Sequence, residues 1–521
     1  MNEAAIYVMN PSRKGMTMNS PDFTLYDMIA RNAALYPDRE AVICGERRIT
    51  FGDFRKLCDR YAAGLRREGT AAGDRIAVLA GNKADFLILC GAAAGIGAVI
   101  VPLNWRLGED EIAYILNDTT PRYLINSREY GEAARKAAAR TGSIQRRYAF
   151  GADGDCLPFD TLCREEETDE AETPLPLSGD APLIIIHTAA VGGKPRGCVL
   201  SQANLAAAGL QIAQLLRIDS RDSYLGLLPL FHIGGMAMTL AAMHQGGKNV
   251  LVERFDPPFV LRLIEKETGS FFVTFPPMLA SLLDAREQGT FNTESLRIVC
   301  GVDGPETIER FLKTNPRAAF CSLYGQTEAM PVSGGDYREK PGSIGRPAIM
   351  TRIALCDEHD GEVPPGTPGE ICVRSPAVFR GYWNLEEETK YTFRNGWHHT
   401  GDLGRLDGEG FLWYAGRKPE KELIKPGGEN VYPAEVEKAL LSHPAIAEAC
   451  VIGVPDPDWG EAVKAVCVFK EGCTASAEEL IAFVANRIAR YKKPKHVVFV
   501  AELPKTAAGA IDREAVKKAF V

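Results

Sequence analysis

Residues 187–201 read HTAAVGGKPRGCVLS, directly behind the apolar run Leu183-Ile184-Ile185-Ile186. The run predicts a buried strand. Gly192, Gly193 and Gly197 break it and let backbone approach a ligand closely. Ser201 then predicts an N-cap, with Leu205, Ile212, Leu215 and Leu216 at helical spacing behind it. A glycine-rich turn after a strand can aim N–H groups at phosphate oxygens, and Lys194 and Arg196 add positive charge. Alone, the stretch reads better as a surface hairpin or loop with two solvated cations. It is not the common nucleotide P-loop: Pro195 follows Lys194 where Ser or Thr belongs, and Thr188 sits at its first glycine position. The remaining chain has to decide.

Downstream, strands at 224–228, 249–252, 270–274, 296–300 and 319–323 alternate with helical segments. That order predicts an α/β fold, a largely parallel sheet covered by helices. Ligands in such sheets sit beyond the carboxyl ends of the strands. Three polar clusters fall there: Phe231-His232, Gly301 to Pro305, and Tyr324 to Glu328. Upstream, 23–65 reads as helix, strand, turn and helix, with Thr50 as a cap. Strands follow at 75–79 and 98–101, around a buried helix at 84–94. The glycines from Gly91 to Gly97 imitate a dinucleotide fingerprint, but Ile100 takes its third glycine position. Small residues there are expected to permit close helix–strand packing. Residues 165–176, EEETDEAETPLP, read as a solvated connector.

From 350 to 414 short strands and Gly/Pro turns predict a β-rich subdomain. Residues 417–428 are charged, carry Pro419 and Pro426, and read as a hinge. Helix 433–441, strands 447–452 and 462–469, helix 477–488 and strand 496–500 then form an α+β module of ordinary domain size. The expected division is a tail at 1–20, a large N-terminal domain at 21–416, the hinge at 417–428 and a small C-terminal domain at 429–521.

With 521 residues, 45% of them hydrophobic, the chain can bury more than one core. Its net charge of −8 is mixed along the chain, which argues against nucleic acid and membrane surfaces as partners. No apolar run approaches the roughly 20 residues of a membrane helix, and no apolar segment follows Arg13 and Lys14 as a signal peptide requires. Its 13 cysteines lack any CxxC pair, so reduced thiols in a cytoplasmic protein are expected. Oligomeric state has no signature here.

Two further motifs join the glycine loop: Tyr324-Gly325-Gln326-Thr327-Glu328, and Thr400-Gly401-Asp402. In this order, with ALYPDREAV at 34–42, GAVIVPLNWRL at 97–107, PLFHIGG at 229–235, GRKPEKELIKPGGENVYPAEVE at 416–437 and LPKTAAGAID at 503–512, they resemble the adenylate-forming superfamily. That superfamily comprises acyl-CoA synthetases, non-ribosomal adenylation domains and luciferases, and the resemblance covers nearly the whole chain. It implies a small C-terminal domain that rotates between two half-reactions. A carboxylate attacks the α-phosphorus of ATP, giving acyl-AMP and pyrophosphate; the thiol of coenzyme A then attacks the carbonyl.

By resemblance, the loop Thr188–Gly197, with Gly192, Gly193 and Lys194, holds the β- and γ-phosphates. Thr327 contacts the α-phosphate, and Glu328 holds Mg²⁺ directly or through water. Asp402 accepts both ribose hydroxyls, and Arg417 reinforces ribose or phosphate. Gly301, Asp303, Gly304, Pro305 and the Tyr324-Gly325-Gln326 segment line the adenine and the acyl path. Gly427, Gly428 and Glu429, with Lys493, face coenzyme A. Phe231, His232, Gly235, Met236, Val302 and Met330 shape the acyl pocket. None of these last is a fixed cation, which favours a neutral aryl, alicyclic or medium-chain acid over a dicarboxylate. His232 also stands where the amino-acid-activating branch has an aspartate.

Four positions depart from the family pattern. Residues 189–192 read Ala-Ala-Val-Gly where hydroxyl-bearing residues are usual; Asp303 replaces a small neutral residue; the hinge is about two residues longer, leaving Pro419 or Lys421 as pivot; and Ala510 stands in place of the lysine that crosses into the site. The last is either a natural loss or a deliberate lysine-to-alanine replacement that stops turnover; the other intact motifs favour the second. Acid–CoA ligase is the leading reading. Transfer to a carrier-protein thiol and a catalytically silent nucleotide binder remain as rivals.

Overall fold

Two large helix-covered sheets build the N-terminal domain of the computed structural model, which describes residues 23–154, 156–163, 177–188, 195–418, 423–505 and 511–521. The expected tail, the acidic connector, the tip of the glycine loop, both pivot candidates and Ala510 lie outside the described residues. In the nine-stranded sheet, the strands from Ala319–Gln326 through Ile298–Gly301, Phe271–Thr274, Ser223–Gly226 and Lys248–Leu251 to Glu40–Cys44 pair in parallel. Antiparallel strands Ala329–Asp336 and Arg47–Thr50 flank them. The eight-stranded sheet is parallel from Pro182–Thr188 to Leu157–Pro158. This is the predicted α/β architecture: apolar strands buried on both faces, helices outside.

The strand Pro182–Thr188 forms as expected, and Ser201 caps the helix Gln202–Leu215, its Oγ accepting the Asn204 amide at 3.2 Å. Between them the structure corrects the reading. Arg196–Ser201 is a strand, antiparallel to Pro182–Thr188, so Gly197 lies inside a ladder instead of ending one. A Cβ at Gly197 would stand 2.8 Å from Ile185 Cγ2, which is the close approach that glycine permits. The small residues from Gly91 onward meet helices as well as strands. In the helix Ala84–Ile96, a Cβ at Gly91 would collide with Cys58 and stand 3.0 Å from Ile29, on two neighbouring helices. Gly91, and Gly95 against Tyr26, thus admit neighbouring helices, while the helix also packs on the strands Val99–Pro102, Glu40–Cys44 and Pro182–Thr188.

The β-rich subdomain is an antiparallel sheet ordered Arg352–Cys356, Gly369–Arg374, His398–Leu406 and Leu412–Arg417. The C-terminal module packs the helices Pro433–Leu441 and Ala477–Ala485 on a three-stranded sheet with its own core around Val436, Leu440, Val451 and Leu480. A closing helix, Arg513–Phe520, was not anticipated.

One buried histidine makes stability depend on pH. His244 ends the helix Ile233–His244 and packs on Gly209, where a Cβ would stand 2.6 Å from its ring. Burial, then Arg31, lowers its pKa from 6.5 to about 4. Between those values the unfolded chain binds a proton that the native state refuses. Stability is therefore expected to fall as pH drops through that window, by at most roughly 3 kcal/mol. Urea unfolding at pH 7.5 and 5 tests this, and His244→Gln should flatten the difference. An equally steep loss in His244→Gln would assign it to another group.

Candidate active site

Asp402 lies on the strand His398–Leu406, in register with Arg417 on the strand Leu412–Arg417. It is 1% exposed. Its Oδ2 accepts the Tyr324 hydroxyl at 2.7 Å and Gln326 Nε2 at 2.6 Å. Arg417 Nε forms an ion pair with Oδ1 at 2.6 Å, and the Tyr414 hydroxyl stands 3.4 Å away. Burial works against the Arg417 charge, but Asp402 and the surrounding tyrosines outweigh it. Burial, and then Asp402, pushes the Tyr324 phenol well above its usual range and Tyr414 up to about 12. Two sequence motifs and the start of the linker thus converge on one carboxylate.

Glu328 follows the strand Ala319–Gln326 and accepts the Tyr382 hydroxyl at 2.8 Å. Burial pushes its pKa up, while His398 and Arg196 hold it below the usual value, so it stays ionised. Arg196 lies over the Tyr382 ring at 4.3 Å and is half-buried, not fully solvated as a surface hairpin would have it. Its Nε has no hydrogen-bond partner among the described residues. The site therefore sets a buried carboxylate beside a half-buried guanidinium with an uncommitted N–H. A charged, oxygen-only ligand like Glu328 suits a hard divalent cation.

The loop after Ile298–Gly301 leaves the sheet beside the strand that carries Tyr324, Gly301 pairing with Ser322. Gly301 has φ 134°, and a Cβ there would collide with the Thr274 carbonyl. Gly304 N-caps the helix that Pro305 opens. Asp303 Oδ1 accepts the Gly304 amide at 2.8 Å, and burial raises the carboxyl pKa against the opposing effect of Gly304 and Thr307. Val302 is half exposed. Behind it, Phe231 is buried edge-on to Trp105, and Met236 lies wholly within the main core. Gly235 lets its helix abut Pro229, while Met330 Sδ rests against Gly325. Phe231, Gly235 and Met236 are buried, whereas Val302 is half exposed and His232 partly exposed.

The C-terminal module closes one side. Gly427 and Gly428 have φ 56° and 84° and pack against Trp459 and Phe275. Glu429 accepts from Arg106, approaches His232 Nε2 at 3.4 Å and reaches Asn104 Nδ2 at 3.4 Å. Tyr432 is buried near Arg417, Glu328 and Arg196. Lys493 is exposed; its neighbour Lys492 carries the buried contact, at 2.5 Å from Glu111 and 2.7 Å from Glu435. Thr188 ends its strand at the mouth of the glycine loop, and Thr327 sits in the turn before Glu328. Gly192, Gly193 and Lys194 lie outside the described residues.

Residues 29–383 match the AMP-binding enzyme family, and residues 435–510 its C-terminal domain. The chain belongs to the AMP-binding enzyme family. Within it, the chain sides with the acyl-CoA synthetases. The indoleacetate–CoA ligase of Aromatoleum aromaticum is 35% identical over 506 residues, covering 95% of this chain and 98% of that one. A feruloyl-CoA synthase from an Amycolatopsis species is 34% identical over 499 residues, covering 94% and 98%. The o-succinylbenzoate–CoA synthetase of Bacillus subtilis, solved as a double mutant with a product analogue, has a TM-score of 0.81 at 31% identity, covering 94% and 97%. Tyr382, Tyr414, Tyr432 and Arg106 contact or lie near the predicted site residues, and sequence reading gave none of them an individual role. Arg196 carried a signal as the second cation of the glycine loop, and Arg106 and Tyr432 lie inside the motifs at 97–107 and 416–437. No helix among the described residues is long and apolar enough to cross a membrane.

Proposed function

We propose that this AMP-binding enzyme joins a neutral aryl acid to coenzyme A through an acyl-adenylate, in the cytoplasm. The observation that carries the reading is that Asp402, paired with Arg417 and Tyr324, and the buried Glu328 with Arg196 meet around the buried Tyr432. In the first step a carboxylate oxygen bonds to the α-phosphorus of ATP and the bond to pyrophosphate breaks. In the second the sulfur of coenzyme A attacks the acyl carbonyl and AMP departs. Asp402 holds the ribose; Arg196, Lys194 and the amides of Gly192 and Gly193 neutralise the phosphates, whose charge has to be offset before two anions meet. Thr327 orients the α-phosphate, and Gly301 to Pro305 with Tyr324 bound the adenine. Mg²⁺, when bound at Glu328, supplies further charge neutralisation at the phosphates. Gly427, Gly428 and Glu429 border the coenzyme A path, with Lys493 toward its outer part. The large domain ends near residue 416, and the linker 417–428 carries the rotation of 429–521.

Phe231, Met236, Val302 and Met330 carry no charge, and the cation nearest Phe231, Arg106, is ion-paired to Glu429; this supports a neutral acid, as does the ring-bearing acid in the names of the indoleacetate and feruloyl relatives. His232 is engaged by Glu429. A panel of indoleacetate, ferulate, benzoate, cyclohexanecarboxylate, octanoate and o-succinylbenzoate tests the reading, with AMP release measured in the protein and in its Ala510→Lys variant. The ring-bearing monocarboxylates should exceed o-succinylbenzoate by about tenfold or more in kcat/KM, as expected when a second carboxylate must be desolvated without a partner. Preference for the dicarboxylate would overturn the neutral-acid assignment.

A further inference from the structure

Glu370 stands on the strand Gly369–Arg374 of the antiparallel subdomain and is 2% exposed. A buried carboxylate is costly unless it is paired. This one has partners on both oxygens. Its Oε1 accepts the Gly401 amide at 2.9 Å. Its Oε2 accepts Lys418 Nζ at 2.6 Å and Arg394 Nη2 at 3.2 Å, and lies 3.1 Å from His399 Nδ1. Glu370, Cys372 and His399 could together offer ligand atoms to a metal. Lys418 and Arg394 already bring two positive charges to the carboxylate, so the group is arranged as an ion-pair node.

The partners of Glu370 flank the nucleotide carboxylate on both sides. Gly401 immediately precedes Asp402 and has φ 74°. Lys418 immediately follows Arg417, the ion partner of Asp402, and its amide donates to the Gly401 carbonyl at 3.0 Å. Beyond Lys418 the chain leaves for the C-terminal module. One side chain therefore holds the residue before the acid and the residue after the base.

We propose that Glu370 is a positioning residue that couples the nucleotide site to the linker: one oxygen sets the Gly401–Asp402 turn and the other anchors Lys418. Rotation of the C-terminal module then begins beyond residue 418. The inference rests on Asp402 being the nucleotide carboxylate. It gives Lys418 a role that a surface lysine would not have. Release of its ammonium from Glu370 lets Arg417 drift from Asp402, and AMP loses a preorganised acceptor.

The test is isothermal titration of the full chain with AMP, for Glu370→Gln, Lys418→Met, their double variant and Lys418→Arg, each checked for a cooperative melt. Glu370→Gln and Lys418→Met should each weaken AMP about tenfold, the scale of one charge-assisted contact. The double variant should be no worse than either single one, because they break the same link. Lys418→Arg should restore AMP affinity to within about twofold. If Glu370→Gln does not fold, Lys418→Met and its arginine rescue still decide. Unchanged AMP affinity in Lys418→Met, or additive losses in the double variant, overturns the coupling. Asp402→Ala serves as the control. If it abolishes AMP binding while Lys418→Met does not, the coupling alone fails. If Asp402→Ala leaves AMP binding intact, the nucleotide reading fails with it.

Discussion

Asp402→Ala weakens AMP and ATP together, by roughly 10- to 100-fold, which is the scale of a lost charge-assisted, two-point contact. Its carboxylate is oriented before any nucleotide arrives. Tyr324, Gln326 and Arg417 hold it at 2.6 to 2.7 Å, so little ordering remains to be done on binding. A carboxylate has about four acceptor positions. Accepting two ribose hydroxyls beside the three short contacts therefore requires the longer ones, Tyr414 and Arg417 Nη2 at 3.4 Å, and one of the short donors to give way. Alanine would also leave the buried Arg417 guanidinium without its strongest counter-charge, and stability would fall as well. Asp402→Asn separates the two effects, since it keeps the shape and loses the charge. Isothermal titration with AMP, beside a thermal melt, is the measurement. A folded Asp402→Asn that binds AMP as tightly as the parent removes Asp402 from the nucleotide site.

How much of this was legible in the chain depended on whether the information was local. The parallel strands were readable because each is a short apolar run bounded by turn residues; Tyr324, Glu328 and Asp402 stood out as members of two short polar motifs, although Asp402 lies within the strand His398–Leu406 and not at its end. The strand Arg196–Ser201 was not readable. Pro195, Arg196 and Gly197 punctuate its start, and only pairing with Pro182–Thr188 makes it a strand. That pairing is what sets Arg196 beside Tyr382. The contact of Glu429 with His232 joins residues assigned to different ligands, and no spacing rule reaches across 197 positions. Lys492 and Lys493 are indistinguishable as adjacent lysines; Glu111, 381 residues away from Lys492, decides which is buried. The glycines at 91–97 were recognised as packing residues, but the helix neighbours of Gly91 and Gly95 were not foreseen, since small residues admit a helix as readily as a strand.

Ala510→Lys should raise pyrophosphate release by a factor on the order of 10²–10³, the usual effect of one preorganised charge aimed at a transition state. The segment Pro504 to Arg513 keeps the family frame on both sides, so no neighbouring lysine has simply slipped out of register. Lys505 is the one candidate substitute in that segment, and it is engaged elsewhere: its Nζ lies 2.7 Å from Glu448. Ala510 itself is outside the described residues, so the expectation follows from charge. A carboxylate attacking the α-phosphorus brings two anions together, and an ammonium between them lowers that barrier more than it strengthens ground-state binding. AMP affinity should therefore change little on Ala510→Lys, while adenylation changes greatly. Thioester formation from a supplied acyl-adenylate should also change little. In the pose described, Glu429 is docked on Arg106 and His232, and the residues flanking 506–510 bond within the C-terminal module, Lys505 to Glu448 and Arg513 to Glu437. Pyrophosphate release with each acid that binds, measured before and after the substitution, separates the cases. A gain confined to adenylation identifies position 510 as the place of the missing charge. No gain with any bound acid would refute the restoration and leave a protein that binds nucleotide without activating a carboxylate.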